Sequence, residues 1–548
     1  MTKTILTGAS ILALAAAAPA FAQSTSDVDQ NGDSNAAVVV QSGSSTSDID
    51  QDGDGNFAGN DQSGDLNISI IDQDAFQAYA DVTQDGDRNS STVTQDDPFN
   101  PPDEDGTIGE PGFDPDATVD QQGNDNTSTI TQTIAANGGY NQSANVTQNN
   151  DNNTSTIDQN SNGSGYTGGH IATVEQNGSA TSDIVQTGTD GGKDLRARVT
   201  QTDSNSIVTQ IATAGRGPNP AALAVVDQLG GSNSDIQQTL NGSLTGDLFA
   251  SVTQNNGATS NIVQTANGDQ STDMDAIVTQ NGASTSNITQ TYGQPGSRNF
   301  SATVVQNGDG HESNITQRDR SPGSVSNPDQ DVIAEVNQSG GGNLSNLTQD
   351  NKGLFADIDQ TGFDNISNAR QVDAGNTLEV LQSGDENNSF IDQRALNNLA
   401  AVTQAGIGAS SEIRQRGRKD QAFVDQLTGS DESTVNILQR GAGGLQSRAV
   451  ADVSQSGADN LANVLQDGFD TQATVNQSGA SNESRITQNG LVDGVLTTAS
   501  VTQSGSDNLS DIFQKGSGNS VNVLQASDNN ISRIDQNGNG NSASVTQN

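Results

Sequence analysis

The chain has 548 residues, a net charge of −46, 30 % hydrophobic and 3 % aromatic residues, and no cysteine. The charge weighs against a nucleic-acid partner or an anionic membrane surface, and the missing thiols exclude a disulfide framework or a thiolate metal centre. So little apolar material cannot fill an ordinary three-dimensional core, and taken alone it would suggest disorder.

The chain opens with an expected export signal over residues 1–22. Lys3 supplies a basic start, Ile5 to Ala18 an apolar run, and Ala20-Phe21-Ala22 a small-residue cleavage site. The run is too short to span a bilayer, and no later segment is apolar enough to do so. From residue 23 to 95 glutamines recur at 30, 41, 51, 62, 73, 84 and 95. Residues 96–116 break the pattern with Pro98, Pro101, Pro102, Pro111 and Pro115 among several acids, which reads as a surface loop.

Between 117 and 349 the spacing alternates. Gln148/Gln159, Gln254/Gln264 and Gln280/Gln290 stand ten or eleven apart, and the next step is usually about sixteen. Extra residues therefore enter at every second turn, on one edge only, which implies two strands per coil. Tight spacing dominates residues 350–548.

The last lines of the repeat, QSGSDNLSDIF, QKGSGNSVNVL, QASDNNISRID and QNGNGNSASVT, give its physics. Ser510, Ile512 and Gln514 fall on one face of an extended segment while Asp511 and Phe513 take the other. A strand of about five residues then meets Gly and Asn turn chemistry, where positive φ is tolerated. A period of about 22 residues implies a repeat architecture. The predicted fold is all-β: a long two-sheet parallel β-solenoid of about 21 coils with two short strands each. In-register stacking would set Gln over Gln and Asn over Asn, letting amides hydrogen-bond along the axis. The repeat runs to Gln547, so the final strand is expected to present an open edge.

Other motifs are weaker. Asp27-x-Asp29-x-Asn31-Gly32 and Asp48-x-Asp50-x-Asp52-Gly53 match half of a calcium loop, but Val38 and Gly59 occupy the position that needs a bidentate Glu. No metal ligand set, cofactor site or catalytic residue follows from the sequence. His170 and His311 read as solvent-exposed turn residues. No nucleophile elbow or P-loop is present, and the chain reads as a non-enzyme. Arg414, Arg416, Arg418 and Lys419 form a basic cluster in an acidic chain, read as a solvated outer face and turn or as a lateral contact to acidic neighbours. Outward threonines before the landmark glutamines (Thr83, Thr94, Thr131, Thr147, Thr253, Thr279, Thr289) raise an ice-binding reading, although other residues interrupt the row. Aspartates stacked one rung apart would repel by about 0.9 kcal/mol per pair in water, so mild acidification or salt should favour association.

The pattern Gln536, Gly538, Asn541, Ala543, Gln547, repeated throughout residues 23–548, resembles the curlin repeat of curli subunits. That resemblance implies a secreted structural subunit that polymerises head to tail into extracellular functional-amyloid fibres on the cell surface, for biofilm matrix, adhesion and cell aggregation. It also implies a nucleator subunit and a dedicated outer-membrane secretion pore as partners. Carried over, the ladder positions are Gln503, Asn508, Gln514, Asn519, Gln525, Asn530, Gln536, Asn541 and Gln547. The chain departs from the family in its number of repeats, its one-sided insertions and its Pro-rich loop. The alternative is a monomeric secreted β-solenoid that binds ice, carbohydrate or a surface.

Overall fold

A computed structural model describes residues 23–548, apart from 98–114, 135–138, 141, 163–166, 191, 193, 214–220, 242–246, 268–271, 294–297, 320–330 and 442–446. The expected export signal and most of the Pro-rich loop lie outside the described residues. The described chain contains strands and turns and no helix. Strands are mostly six to nine residues long, longer than the expected five; some end at the landmark glutamine, as Leu399–Gln404 does, and others run past it, as Thr127–Ile134 does.

The chain divides into two compact units, residues 1–278 with 291–297 and residues 279–290 with 298–548. Each is a parallel two-sheet β-solenoid, in which successive strands alternate between the sheets, apart from a short separate pair, Gly139–Tyr140 with Thr167–Gly168, in the first unit. In the first unit one sheet is built from strands such as Thr46–Asp52, Ile68–Asp74 and Ser90–Asp96, and the other from Phe57–Ser63, Tyr79–Asp85 and Asp116–Gln122. Pairing is in register throughout: Gln51 stands beside Gln73 and Gln73 beside Gln95. The second unit repeats this plan, with Gln488, Gln514 and Gln536 aligned in one sheet and Gln477, Gln503, Gln525 and Gln547 in the other.

The two sheets are not equivalent. Inward positions of one read Ser, Ile, Gln (Ser69, Ile71, Gln73; Ser510, Ile512, Gln514), and we call it the serine sheet. Those of the other read Ala, Val, Gln (Ala80, Val82, Gln84; Ala499, Val501, Gln503), and we call it the alanine sheet. Period-two alternation sends these residues inward and their neighbours to solvent. Small and β-branched side chains let two flat sheets approach closely, so a thin core suffices.

Within residues 117–349 the long connections lead from the serine sheet to the alanine sheet, while the return turns stay tight. On that edge of the first unit the serine-sheet strands run on past the glutamine and add a second inward column. Ile134, Ala212 and Leu240 on one side and Leu195, Leu248 and Met274 on the other are buried there. The landmark glutamine thus lies inside the stack along these rungs rather than at its margin.

Candidate functional site

Within each unit the landmark glutamines of each sheet form a hydrogen-bonded ladder. In the serine sheet of the first unit Gln30 donates through Nε2 to Gln51 Oε1 (2.5 Å), Gln51 to Gln73 (2.7 Å), Gln73 to Gln95 (2.8 Å) and Gln95 to Gln132 (2.9 Å). The alanine sheet has its own ladder, with Gln41 donating to Gln62 (2.7 Å) and Gln62 to Gln84 (2.6 Å). The second unit continues the arrangement: Gln488 donates to Gln514 and Gln514 to Gln536, both at 3.0 Å. Beside them Gln477 donates to Gln503, Gln503 to Gln525 and Gln525 to Gln547, all at 2.9 Å. The expected ladder residues therefore separate into two ladders, alternate glutamines belonging to opposite sheets.

The other amide hydrogen crosses to the opposite sheet. Gln514 Nε2 reaches the Thr498 carbonyl (3.0 Å), Gln525 the Leu509 carbonyl (3.1 Å) and Gln536 the Ser520 carbonyl (3.2 Å). Each amide thus ties its rung to the next and its sheet to the other, which is why so polar a group can be buried without loss. Every described glutamine-to-glutamine bond runs the same way, donor towards acceptor in the direction of the C-terminus.

The asparagines do a different job. Asn508 N–H and Asn530 N–H donate to Asn482 Oδ1 (3.1 Å) and Asn508 Oδ1 (2.9 Å), and Asn541 N–H donates to Asn519 Oδ1 (3.0 Å). Asn519 Nδ2 reaches the Gly538 carbonyl at 2.8 Å. These columns, one on each edge, stitch a turn to the turn of the next coil. Turn glycines permit that approach: Gly516 has φ +118°, and a β-carbon there would stand 2.0 Å from the Gly538 carbonyl oxygen.

Some inward polar groups are not satisfied. The buried hydroxyls of Ser69, Ser91, Ser367 and Ser510 lack a hydrogen-bond partner, as do both amide atoms of Asn60. Asn60 occupies a position where the neighbouring rungs place Val39 and Val82.

Most of the charge lies outside, with Asp420 a buried exception. Asp29, Asp50 and Asp72 stack in register on the serine sheet. Burial, then Asp72 and other aspartates nearby, raises the Asp50 carboxyl above its usual range; burial, then Asp74, Asp96 and Asp48, raises that of Asp72. In the second unit Asp357 stands between Glu335 and Glu379, and burial, Asp359 and these two push it up to about 6.

The structure corrects the reading of both histidines. His170 and His311 are buried, not solvent-exposed. His170 lies within the second inward column against Gly188, with neither ring nitrogen hydrogen-bonded, and burial lowers its pKa to about 4. His311 occupies an asparagine-column position, with Nδ1 accepting from the Asn343 N–H at 3.3 Å. The apolar residues flanking the landmark glutamines, such as Leu195 and Leu240, were the sequence signal for this extra column.

The basic cluster is divided. Arg414 lies on the serine-sheet face, paired with Glu412 at 2.6 Å and 5.4 Å from the Phe390 ring centroid. Arg416 and Lys419 are exposed at the strand end and turn. Asp27 and Asp29 of the calcium-like string stand beside Asp48 and Asp50 on neighbouring strands, and no cluster able to hold a metal occurs among the described residues. No described helix is long and apolar enough to cross a membrane.

A family model for the curlin associated repeat matches residues 374–406, 451–490 and 498–526. Over these segments the chain carries the curlin associated repeat. All three matches fall in the second unit, where both asparagine edges and both glutamine ladders are most regular. No curated protein matches the chain. The curlin repeat and the β-solenoid are structural.

Proposed function

We propose that this curlin-repeat protein is a secreted structural subunit that polymerises into extracellular cross-β fibres, serving biofilm matrix, adhesion and cell aggregation. The observation that carries the reading is the polarity of the ladders. Among the described residues none donates to the Oε1 of Gln30 or Gln41, and no glutamine accepts from the amides of Gln536 or Gln547, which reach the Ser520 and Ile531 carbonyls. A second copy added in the same register would join these donors to those acceptors and continue both sheets. The reading expects a nucleator subunit to set the first rung and a dedicated outer-membrane pore to deliver the unfolded chain. Purified mature protein, incubated at neutral pH, should give long unbranched fibres with a meridional reflection near 4.7–4.8 Å. Discrete particles of one molecule each would overturn it.

One observation favours a second reading, a monomeric binder of a regular surface such as ice. On three successive serine-sheet strands the outward residues include Thr92 and Thr94, Thr127, Thr129 and Thr131, and Thr154 and Thr156, in register. Thermal hysteresis from monomeric protein would support that alternative.

A further inference from the structure

The residue after each landmark glutamine of the serine sheet sits at the edge where the chain crosses to the alanine sheet. On three successive rungs of the second unit it is an arginine: Arg394, Arg416 and Arg440. The Arg394 N–H donates to the Gln415 carbonyl (2.9 Å) and the Arg416 N–H to the Gln439 carbonyl (2.8 Å), so the three stand one rung apart. On three successive rungs of the first unit the same position carries Asp52, Asp74 and Asp96, likewise in register.

Both files gather like charge in the isolated molecule. Arg394 is paired with Asp392 of its own strand at 2.7 Å, and no described carboxylate pairs with Arg416 or Arg440. Asp52 accepts a hydrogen bond from Asn31 at 3.0 Å, and no described cation meets Asp74 or Asp96. Arg416, Arg440, Asp52 and Asp74 are exposed. The files match in number, have opposite charge and share one spacing, set by the same backbone ladder.

We propose that the arginine file of one copy docks on the aspartate file of a second copy, giving a lateral contact between copies. Aligning one pair brings the other two into alignment, and guanidinium and carboxylate can meet through paired hydrogen bonds. Two different patches meet, so the contact is heterologous and can propagate from copy to copy. It goes beyond end-to-end stacking and needs none: soluble molecules can make it. At about 0.1 M salt the screening length is ~10 Å, which suppresses the general repulsion between two acidic chains while sparing charges in contact; at 1 M it is ~3 Å.

Sedimentation of the freshly prepared full chain tests this. Before fibres form, the protein should associate at about 0.1 M salt, and at 1 M this lateral association should be lost. R394E/R416E/R440E alone and D52K/D74K/D96K alone should each associate at least a hundredfold more weakly, and an equimolar mixture of the two should associate again. R394K/R416K/R440K should retain association. Far-UV circular dichroism identifies a variant that has lost its strands; R394Q/R416Q/R440Q then replaces the arginine variant, with the same loss expected. Self-association of either reversal variant at wild-type strength, or a mixture that stays dispersed, overturns the contact. So does wild-type protein that binds added polyglutamate while remaining monomeric, which would assign the arginines to a foreign polyanion. Fibres that form normally but fail to bundle would count against this contact alone and leave end-to-end stacking intact.

Discussion

Replacing Gln404 with Met isolates what one ladder amide contributes. Gln404 is fully buried, accepts from Gln382 Nε2 (2.8 Å), and donates to Gln426 Oε1 (2.9 Å) and to the Asn388 and Ala409 carbonyls (3.2 and 3.0 Å). Methionine has similar length and no amide. The Ala409 carbonyl keeps the Asn388 N–H at 2.8 Å, so the chief losses are a stranded Gln382 donor and a stranded Gln426 acceptor. Each buried orphan costs about 1–3 kcal/mol, so roughly 2–6 kcal/mol of local stability should vanish. In a stack whose coils contact mainly their neighbours, the damage should centre on adjacent rungs. Hydrogen exchange across strands Thr377–Gln382, Leu399–Gln404 and Gln421–Gln426 should therefore quicken by about thirtyfold or more, with smaller changes farther away. Thr403→Ala, on the outward side of the same strand, should stay within about 0.5 kcal/mol of the parent. If Gln404→Met and Thr403→Ala behave alike, the ladder is an alignment without energetic consequence and the reasoning fails.

Asn60→Val should stabilise the first unit by about 1–3 kcal/mol, because it removes a buried amide without partners and restores the residue found on adjacent rungs; a lowered denaturation midpoint would show that Asn60 is satisfied after all. Gly516→Ala should cost several times more than Gly540→Ala, since Gly516 faces the Gly538 carbonyl whereas Gly540, at φ +70°, has open space; equal unfolding midpoints for the two would refute this. Two groups should give opposite pH dependences. The Asp357 carboxyl, raised to about 6 from an unfolded value near 4, stabilises fully below about pH 4, and this contribution is lost as pH rises through about 6. His170, lowered to about 4 from near 6.5, withdraws stability as pH falls between those values. Asp357→Asn should flatten the loss towards pH 7 in exchange of strand Leu354–Phe363, and His170→Leu the loss towards pH 4 in strand Ile171–Asn177; unchanged profiles in the variants would refute both assignments.

The two-sheet solenoid was legible because glutamine spacing reports coil length, and alternation in that spacing reports the number of strands per coil. Insertion at every second turn matched the actual crossing from serine to alanine sheet. The distinction between the sheets was equally present, as Ser-x-Ile-x-Gln alternating with Ala-x-Val-x-Gln, but Ser and Ala are both small and separate into two columns only once register is known. His170 was misread for a related reason, whereas His311 stands in an asparagine column on the other edge. A turn position looks exposed when the strand is assumed to end at glutamine, yet residues such as Ile134 and Leu240 carry the inward alternation one step farther. Which outward charges share an edge could be recovered only once register was known: Arg394, Arg416 and Arg440 are far apart in sequence, whereas Arg414 and Arg416, close in sequence, occupy different surfaces.

Burying amides rather than more aliphatic groups also restricts which misalignments are tolerated. Sliding one strand by a single residue would turn Gln514 outward and bring Phe513 or Lys515 into a space sized for serine, isoleucine and glutamine. Sliding by a whole coil preserves every inward match, since Gln514 then meets another glutamine and Ser510 another serine. Outward residues have no comparable inward partner to preserve, and there the sequence varies freely: Asp511 lies between Arg485 and Arg533 on adjacent strands. The interior therefore enforces register within the molecule yet scarcely distinguishes one rung from the next, the combination under which a strand of a second copy is as acceptable a neighbour as a strand of the first.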